Sequence, residues 1–339
     1  MDVVLAIEPT GPHLGHYFAG LKNNESVEKV YVADASGEMQ SNAAENLGNK
    51  LAGFDQDIDA ALAEANAPLA VVSLEAHRSP ATISKCLEAG CHVIAEKPSC
   101  SCVEDFEAMA ALAHQRDRQL MLAFANRATP HIQEARRIVR EHIGPVYGIE
   151  CHTVADQTRV QKQKEPAHWL FQKEKSGGGH LIWLGIHAVD WMQFVCDAPI
   201  VQVGAICGNI GGTAVDVEDS AVLNLQFESG MLGTLTSAYY IDKGKHISMN
   251  IWGKNGWLRM MPNGEYKIVW QEYGSEEQVI DYRNAKVGGA YAPFIDSVIE
   301  SIVAGTQPLL TTDESLRAIR VVFAAYESAQ AGKRILVDG

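Results

Sequence analysis

Two side chains stand out for what they could do to a proton. Lys97 lies in Glu96-Lys97-Pro98, directly after the apolar run "HVIA", and His187 lies in "GGGHLIWLGIHAVD", residues 177–190. If "HVIA" is a parallel strand, Lys97 sits at its carboxyl end, where ligands bind in open α/β sheets. An ammonium there can hydrogen-bond a hydroxyl and stabilise the alkoxide that develops as hydride leaves; a solvated surface lysine is the ordinary alternative. A histidine that titrates near neutrality can take the hydroxyl proton. His180, Trp183, His187 and Asp190 succeed one another at spacings of three and four. One helical stripe would then carry polar and aromatic groups, with His180 and His187 seven apart and nearly in line. The competing reading is a core helix with one or two satisfied histidines. Gly177-Gly178-Gly179, just ahead, lets the backbone approach a neighbour closely.

A nucleotide would be needed to accept the hydride. The first strand-like run, "DVVLAI", leads into Glu8-Pro9-Thr10-Gly11-Pro12-His13-Leu14-Gly15 and then a helical "HYFAGLKNN". A full G-x-G-x-x-G supplies a tight turn and close backbone approach to a pyrophosphate. Here only Gly11 and Gly15 stand. Pro12 has no N–H, though it pre-sets a first helical turn. The amides of His13 and Leu14, and the side chains of Thr10 and His13, remain as donors to an anion. Asp34 ends the second strand. There it would accept from ribose hydroxyls and repel a 2′-phosphate, favouring NAD over NADP. Taken alone it also reads as a turn or helix-capping Asp. After the strand "LAVVSL", Leu74, Glu75 and His77 face the same end of the sheet and join the candidate cofactor contacts with Glu96 and Lys97.

The elements that must hold these groups alternate through the first third. Short apolar runs alternate with amphipathic stretches, ending at "QLMLAFAN". That pattern predicts parallel strands with crossover helices on both faces, a doubly wound Rossmann-type sheet over residues 1–125. From 126 to 339 the pattern changes to closely spaced runs such as "SAVLNLQFES", "MLGTLTSAYY" and "HISMNIWG". These predict an α+β domain with a large, mostly antiparallel open sheet. Glu228-Ser229-Gly230 and Asn263-Gly264 read as hairpin turns. Helices close the chain, the last ending on Gly332, and this terminal segment is expected to pack back on the first domain. "MLGTLTSAYY" and "HISMNIWG" read as apolar or aromatic on both alternating sets, so their second face needs a cover.

A net charge of −14 argues against a nucleic-acid or anionic-membrane partner. No apolar run reaches the ~20 residues that span a bilayer, and the strand-like amino terminus has no signal-peptide character. The seven scattered cysteines read as reduced thiols, which points to a cytoplasmic home. Cys100-x-Cys102 lacks a second ligand pair, so no metal is expected.

Taken together, the chain resembles the Gfo/Idh/MocA family of sugar and polyol oxidoreductases. The likeness rests on "AGCHVIAEKP" (Ala89–Pro98), "NRATP" (Asn126–Pro130), "GGGHLIWLGIHAVD" (Gly177–Asp190) and the closing "FIDSVIESIVAG…AAYESAQAGKRILV". It implies that Lys97 is the catalytic lysine, His187 the proton acceptor and Asp34 the NAD-selecting acid. Arg127 falls in a segment that faces substrate and nicotinamide, and Trp169, His180, Trp183 and Asp190 complete the expected substrate set. The implied activity is NAD-dependent hydride transfer at a hydroxyl or keto carbon of a sugar or cyclic polyol, in a cleft between the domains. A homodimer or homotetramer through the carboxyl-terminal sheet is implied as well. Two other activities are compatible with such a scaffold: a redox-neutral lyase or glycosidase using NAD transiently, and a non-catalytic sensor. The glycine fingerprint is eroded, the loop after "LAVVSL" is altered, and Trp183 stands where the family's D-x-G-x-H segment has its Asp. His180 or Asp190 would then replace the carboxylate, or Trp183 would wall the site for a stacked sugar ring.

Overall fold

The computed structural model describes residues 1–156, 168–212, 214–261, 267–282 and 289–338. The chain divides into two compact units. Unit 1 is Met1–Ala128, Lys175–Gly177 and Gly288–Leu316; unit 2 is Thr129–Glu174, Gly178–Val287 and Arg317–Gly339.

In chain order, unit 1 begins β1 (Asp2–Ile7), α1 (Leu14–Asn23), β2 (Lys29–Ala33), α2 (Gln40–Leu47), β3 (Leu51–Asp55), α3 (Ile58–Ala65) and β4 (Leu69–Ser73). It continues α4 (Ser79–Glu88), β5 (His92–Ala95), α5 (Val103–Gln115) and β6 (Leu120–Leu122). Unit 2 holds α6 (Pro130–Ile138), β7 (Val146–Ala155), α7 (Ile186–Cys196), β8 (Ile200–Gly208), β9 (Ser220–Phe227), β10 (Leu232–Ala238) and β11 (Lys245–Gly253). Its sheet goes on through β12 (Gly256–Met261), β13 (Lys267–Glu272) and β14 (Gln278–Asp281). The chain closes with α8 (Tyr291–Ala304), which belongs to unit 1, then α9 (Thr312–Ala331) and β15 (Ile335–Leu336).

The six strands of unit 1 are all parallel, in the order β3-β2-β1-β4-β5-β6. β4 is buried at every residue and β1 at all but its first, as near-continuous apolar runs covered on both faces should be. The order reverses between β1 and β4, so the crevice outside their carboxyl ends is the place for a ligand. α8 packs on α1 within this unit. β3 and α3 were not foreseen: the sequence pattern carries a helix to residue 52 and resumes with a strand near 69. β3 is the sheet's edge, half-exposed and interrupted by Gly53, so it has no apolar run to announce it.

Unit 2 is built on nine strands in the order β14-β13-β12-β11-β7-β10-β9-β8-β15. The β7–β10 pair is parallel and the other pairs are antiparallel. Gly230, at φ 84°, turns the chain between β9 and β10, and the Phe227 N–H to Met231 carbonyl bond closes that hairpin. The expected Asn263-Gly264 turn lies outside the described residues. Gly332, at φ 64°, ends α9 by donating to the Ser328 carbonyl.

The inner faces of β10 and β11 present Leu235, Ile247, Met249 and Ile251 to the core. Their outer faces differ from the expectation. Thr234, Ser248 and Asn250 occupy the middle, and only Leu232 and Trp252 keep apolar bulk outward. No helix among the described residues is long and apolar enough to cross a membrane.

Candidate functional site

The turn after β1 is braced against the segment after β4. The Ser73 hydroxyl donates to the Pro12 carbonyl at 2.6 Å, and the Thr10 hydroxyl donates to Glu75 Oε1 at 2.8 Å. A Cβ on Gly11 would run into the Ser73 carbonyl oxygen, which explains glycine at this point. Glu8 is buried, and its carboxylate accepts from the Glu75 N–H and the Arg78 guanidinium. Burial pushes its carboxyl up, while the Glu75 amide and the Arg78 charge oppose that shift. The His77 imidazole lies 3.7 Å from Glu75, and Leu74 is half-buried beside them. Among the described residues, nothing stands within 4 Å of where a Gly15 side chain would begin, leaving room there for a bulky anion.

At the carboxyl end of β5, Glu96 and Lys97 are each only 1% exposed, and the Lys97–Pro98 bond is cis. Glu96 gathers three groups from distant segments. The Tyr17 hydroxyl donates to its Oε2 at 2.6 Å, the Tyr291 hydroxyl to the same oxygen at 3.0 Å, and His13 Nδ1 lies 3.2 Å from Oε1. The Tyr291 hydroxyl is also 2.8 Å from His13 Nδ1. The Lys97 ammonium is therefore out of bulk water with an anionic neighbour.

Two expected contacts have local partners instead. Asp34 is 1% exposed, and its carboxylate accepts from the Ser36 N–H and hydroxyl and from the Met39 N–H. It is the turn-capping Asp of the alternative reading, although its charge still lies at the end of β2. Arg127 is 2% exposed; its guanidinium bonds Glu314 at 2.7 Å and the Leu309 carbonyl at 3.2 Å. It is an interior tie to the first turn of α9 and the residues just ahead of it.

In unit 2 the expected in-line histidines are not in line. Leu181–Gly185 form a π-helical turn before α7. A π turn carries one residue more than an α turn, which offsets the residues of α7 by about 100°. His180 is consequently inside, at 0% exposure, with Nδ1 2.6 Å from the Ser237 hydroxyl and its ring edge-on to Tyr239. Its ring is packed in the interior of unit 2. Asp190, 1% exposed, is likewise interior. Within 180–190, the half-buried side chains are Trp183, Leu184 and His187. Trp169 meets Trp183 edge-to-face at 5.8 Å, and Trp191 lies under the His187 ring at 6.1 Å. The triple glycine allows the close backbone approach expected of it. Gly179 is pressed against the Glu218 backbone and Gly178 against the Tyr326 ring.

Glu218 is not among the residues that the sequence marks. Its carboxylate caps this segment, accepting from the Gly179 N–H at 2.6 Å, the Leu181 N–H at 2.9 Å and the Tyr326 hydroxyl at 3.0 Å. Burial raises its carboxyl despite those donors. Tyr17 and Tyr291 are likewise unmarked. Tyr17 was detectable, because a tyrosine on the buried face of an amphipathic helix needs a partner for its hydroxyl.

Comparison with known proteins agrees with this architecture. Residues 11–124 match the model of the oxidoreductase family with an NAD-binding Rossmann fold, and residues 132–259 match the GFO/IDH/MocA carboxyl-terminal domain. D-glucoside 3-dehydrogenase of Escherichia coli is 24% identical over 74% of this chain and 73% of its own. The NADP⁺-linked D-xylose 1-dehydrogenase of Haloarcula marismortui is 24% identical over 73% of this chain and 68% of its own. A levoglucosan dehydrogenase, solved with NADH and levoglucosan, superposes with a TM-score of 0.89 at 16% identity, covering 100% of both chains. A dinucleotide-type sheet, a lysine at the end of β5, and family matches to both halves of the chain leave one assignment: this protein belongs to the Gfo/Idh/MocA family of oxidoreductases.

Proposed function

We propose that the chain catalyses NAD(P)-dependent hydride transfer at a hydroxyl-bearing carbon of a sugar or cyclic polyol. The observation that carries this reading is the position of Glu96-Lys97-Pro98 at the carboxyl end of β5 in an all-parallel sheet. The relatives' names, glucoside and xylose dehydrogenases, support the substrate class.

The residues fit a dinucleotide. The turn 8–13 and the segment 74–78 lie just after β1 and β4, where the strand order reverses, and the space beside Gly15 is open. Thr10, Gly11, His13 and Leu14 would line the pyrophosphate, with Pro12 setting the turn and Leu74, Glu75 and His77 flanking it. When bound, the nicotinamide supplies the hydride acceptor or donor. Lys97 holds the reacting oxygen and steadies its negative charge, and His187 accepts or returns the proton. Trp183, backed by Trp169, offers an apolar wall to the C–H face of a sugar ring. Arg127, His180 and Asp190 are given supporting rather than contacting roles. Asp34 would still disfavour a 2′-phosphate by like charge, so NAD is the proposed preference.

The outer face of the unit 2 sheet is the proposed contact in a homo-oligomer. The reading is tested by supplying NAD⁺ or NADP⁺ with a panel of aldoses, glycosides and inositols and following reduced nicotinamide. Turnover of at least one sugar is expected; nucleotide binding with no turnover of any sugar or polyol in either direction would refute it.

A further inference from the structure

The first turn offers a pyrophosphate fewer backbone donors than a full glycine fingerprint would. The Gly11 N–H is taken by the Glu8 carbonyl at 2.9 Å, and Pro12 has none. We propose that His13 supplies the missing donor with its imidazole, and that Glu96, Tyr17 and Tyr291 position that ring for the cofactor's pyrophosphate. The inference rests on the NAD(P) reading above and assigns a part of the site that the glycine fingerprint normally provides.

His13 is built for a side-chain role. It stands immediately before α1 with φ 59° and ψ 21°, left-handed backbone that non-glycine residues seldom adopt. Its side chain does not cap the helix. Instead Nδ1 turns toward the Glu96–Tyr291 pair.

Counting protons fixes which way the ring works. An ionised carboxylate only accepts, and each tyrosine hydroxyl has a single hydrogen to give. Tyr17 and Tyr291 both direct theirs to Glu96 Oε2. The Tyr291 oxygen therefore accepts from His13 Nδ1, which lies beside Glu96 Oε1, and Nε2 donates to a pyrophosphate when the ring is the doubly protonated imidazolium, whose two nitrogens are both donors. The opposite ring edge, with Nε2, is turned away from the carboxylate. The anchor is interior and the imidazole is not: the Glu96 side chain is 1% exposed and that of His13 is 35%.

The tyrosine that completes the set is itself held. The Tyr291 ring stacks on His16 at 5.1 Å with a 7° tilt and meets Tyr17 edge-on at 5.2 Å. α8 thus reaches the nucleotide turn through one hydroxyl. Burying a carboxylate is costly unless polar groups surround it, and here the Tyr17 and Tyr291 hydroxyls donate to Oε2 while the His13 ring lies beside Oε1.

The test compares three ligands by calorimetry: NADH, ADP-ribose and adenosine. The variants are His13→Asn, which tolerates the left-handed backbone but removes the imidazole, and Tyr291→Phe, which keeps the ring stack but removes the hydroxyl. His13→Asn is expected to weaken NADH and ADP-ribose by about 10–100-fold, the worth of a hydrogen bond to a charged group. Tyr291→Phe should weaken the same two by about 3–10-fold. Adenosine, which lacks the pyrophosphate, should bind both variants as it binds the wild type. Wild-type affinity for NADH and ADP-ribose in both variants would overturn the proposal, as would an equal loss for all three ligands. Failure of the unmodified protein to bind any of the three would overturn the NAD(P) reading itself, a result that needs neither variant.

Discussion

Lys97 is a charged side chain at 1% exposure beside an equally buried carboxylate, and that pairing sets what each residue can do. A positioned acid or base contributes about 10²–10⁴-fold to turnover. Lys97→Ala and His187→Asn should each lower kcat by that order while leaving NADH affinity nearly unchanged, measured by steady-state kinetics and calorimetry. Glu96 also gives a pH signature. Burial alone would push its carboxyl up, but the His13 charge and hydrogen bond, the Lys97 charge and the Tyr17 hydroxyl more than offset this. It therefore lies below its ordinary value of 4.5. A carboxyl held low contributes stability that is complete above its unfolded value and lost as pH falls through the folded one. The unfolding midpoint of Glu96→Gln should lie below that of the wild type at neutral pH. The gap should close on acidification below about pH 4.5. Asp34→Asn is the matching test of nucleotide choice: keeping the turn's acceptor but not its charge should narrow any preference for NAD over NADP in titrations of both.

At the scale of elements, the π turn decides which histidine is available and Glu218 decides where the turn begins. Adding a methyl to Gly179 sets it against the Glu218 backbone, which cannot swing aside, whereas at Gly178 it meets the side chain of Tyr326. Gly179→Ala should cost about 1–3 kcal/mol in denaturant unfolding, and Gly178→Ala less. These features also mark what the sequence could and could not disclose. β1, β4 and β5 were legible because strands covered on both faces need unbroken apolar runs. Lys97 and His187 were picked out from short local motifs, and the roles given to them are proposals. The edge strand β3 has no such run. The π turn leaves no periodicity to read, so His180 and His187 looked aligned. The Glu96 cluster joins residues 13, 17, 96 and 291 across α1, β5 and α8, and no local window contains it. Asp34 stands out for its place in the first β-α-β unit, while its side chain is occupied by the turn after β2.

At the scale of the whole molecule, unit 2 leaves an outer sheet face on which Leu232 and Trp252 are 62% and 44% exposed around a polar middle. His152 and Glu150 pair there at 3.0 Å. A second copy is the proposed cover, and light scattering at micromolar concentration should give a mass above that of one chain. Thr234→Arg, which brings like charges together across a self-paired face, should yield monomers. Isotope transfer tests the proposed hydride chemistry most directly. A sugar identified from the panel is deuterated at the carbon to be oxidised and incubated with oxidised nucleotide, and the recovered nicotinamide is weighed by mass spectrometry. The account predicts one deuterium on the reduced nicotinamide for each sugar oxidised, with label accumulating about 10²–10⁴-fold more slowly in Lys97→Ala. Converted sugar without net labelled nicotinamide would contradict it and point to a redox-neutral reaction.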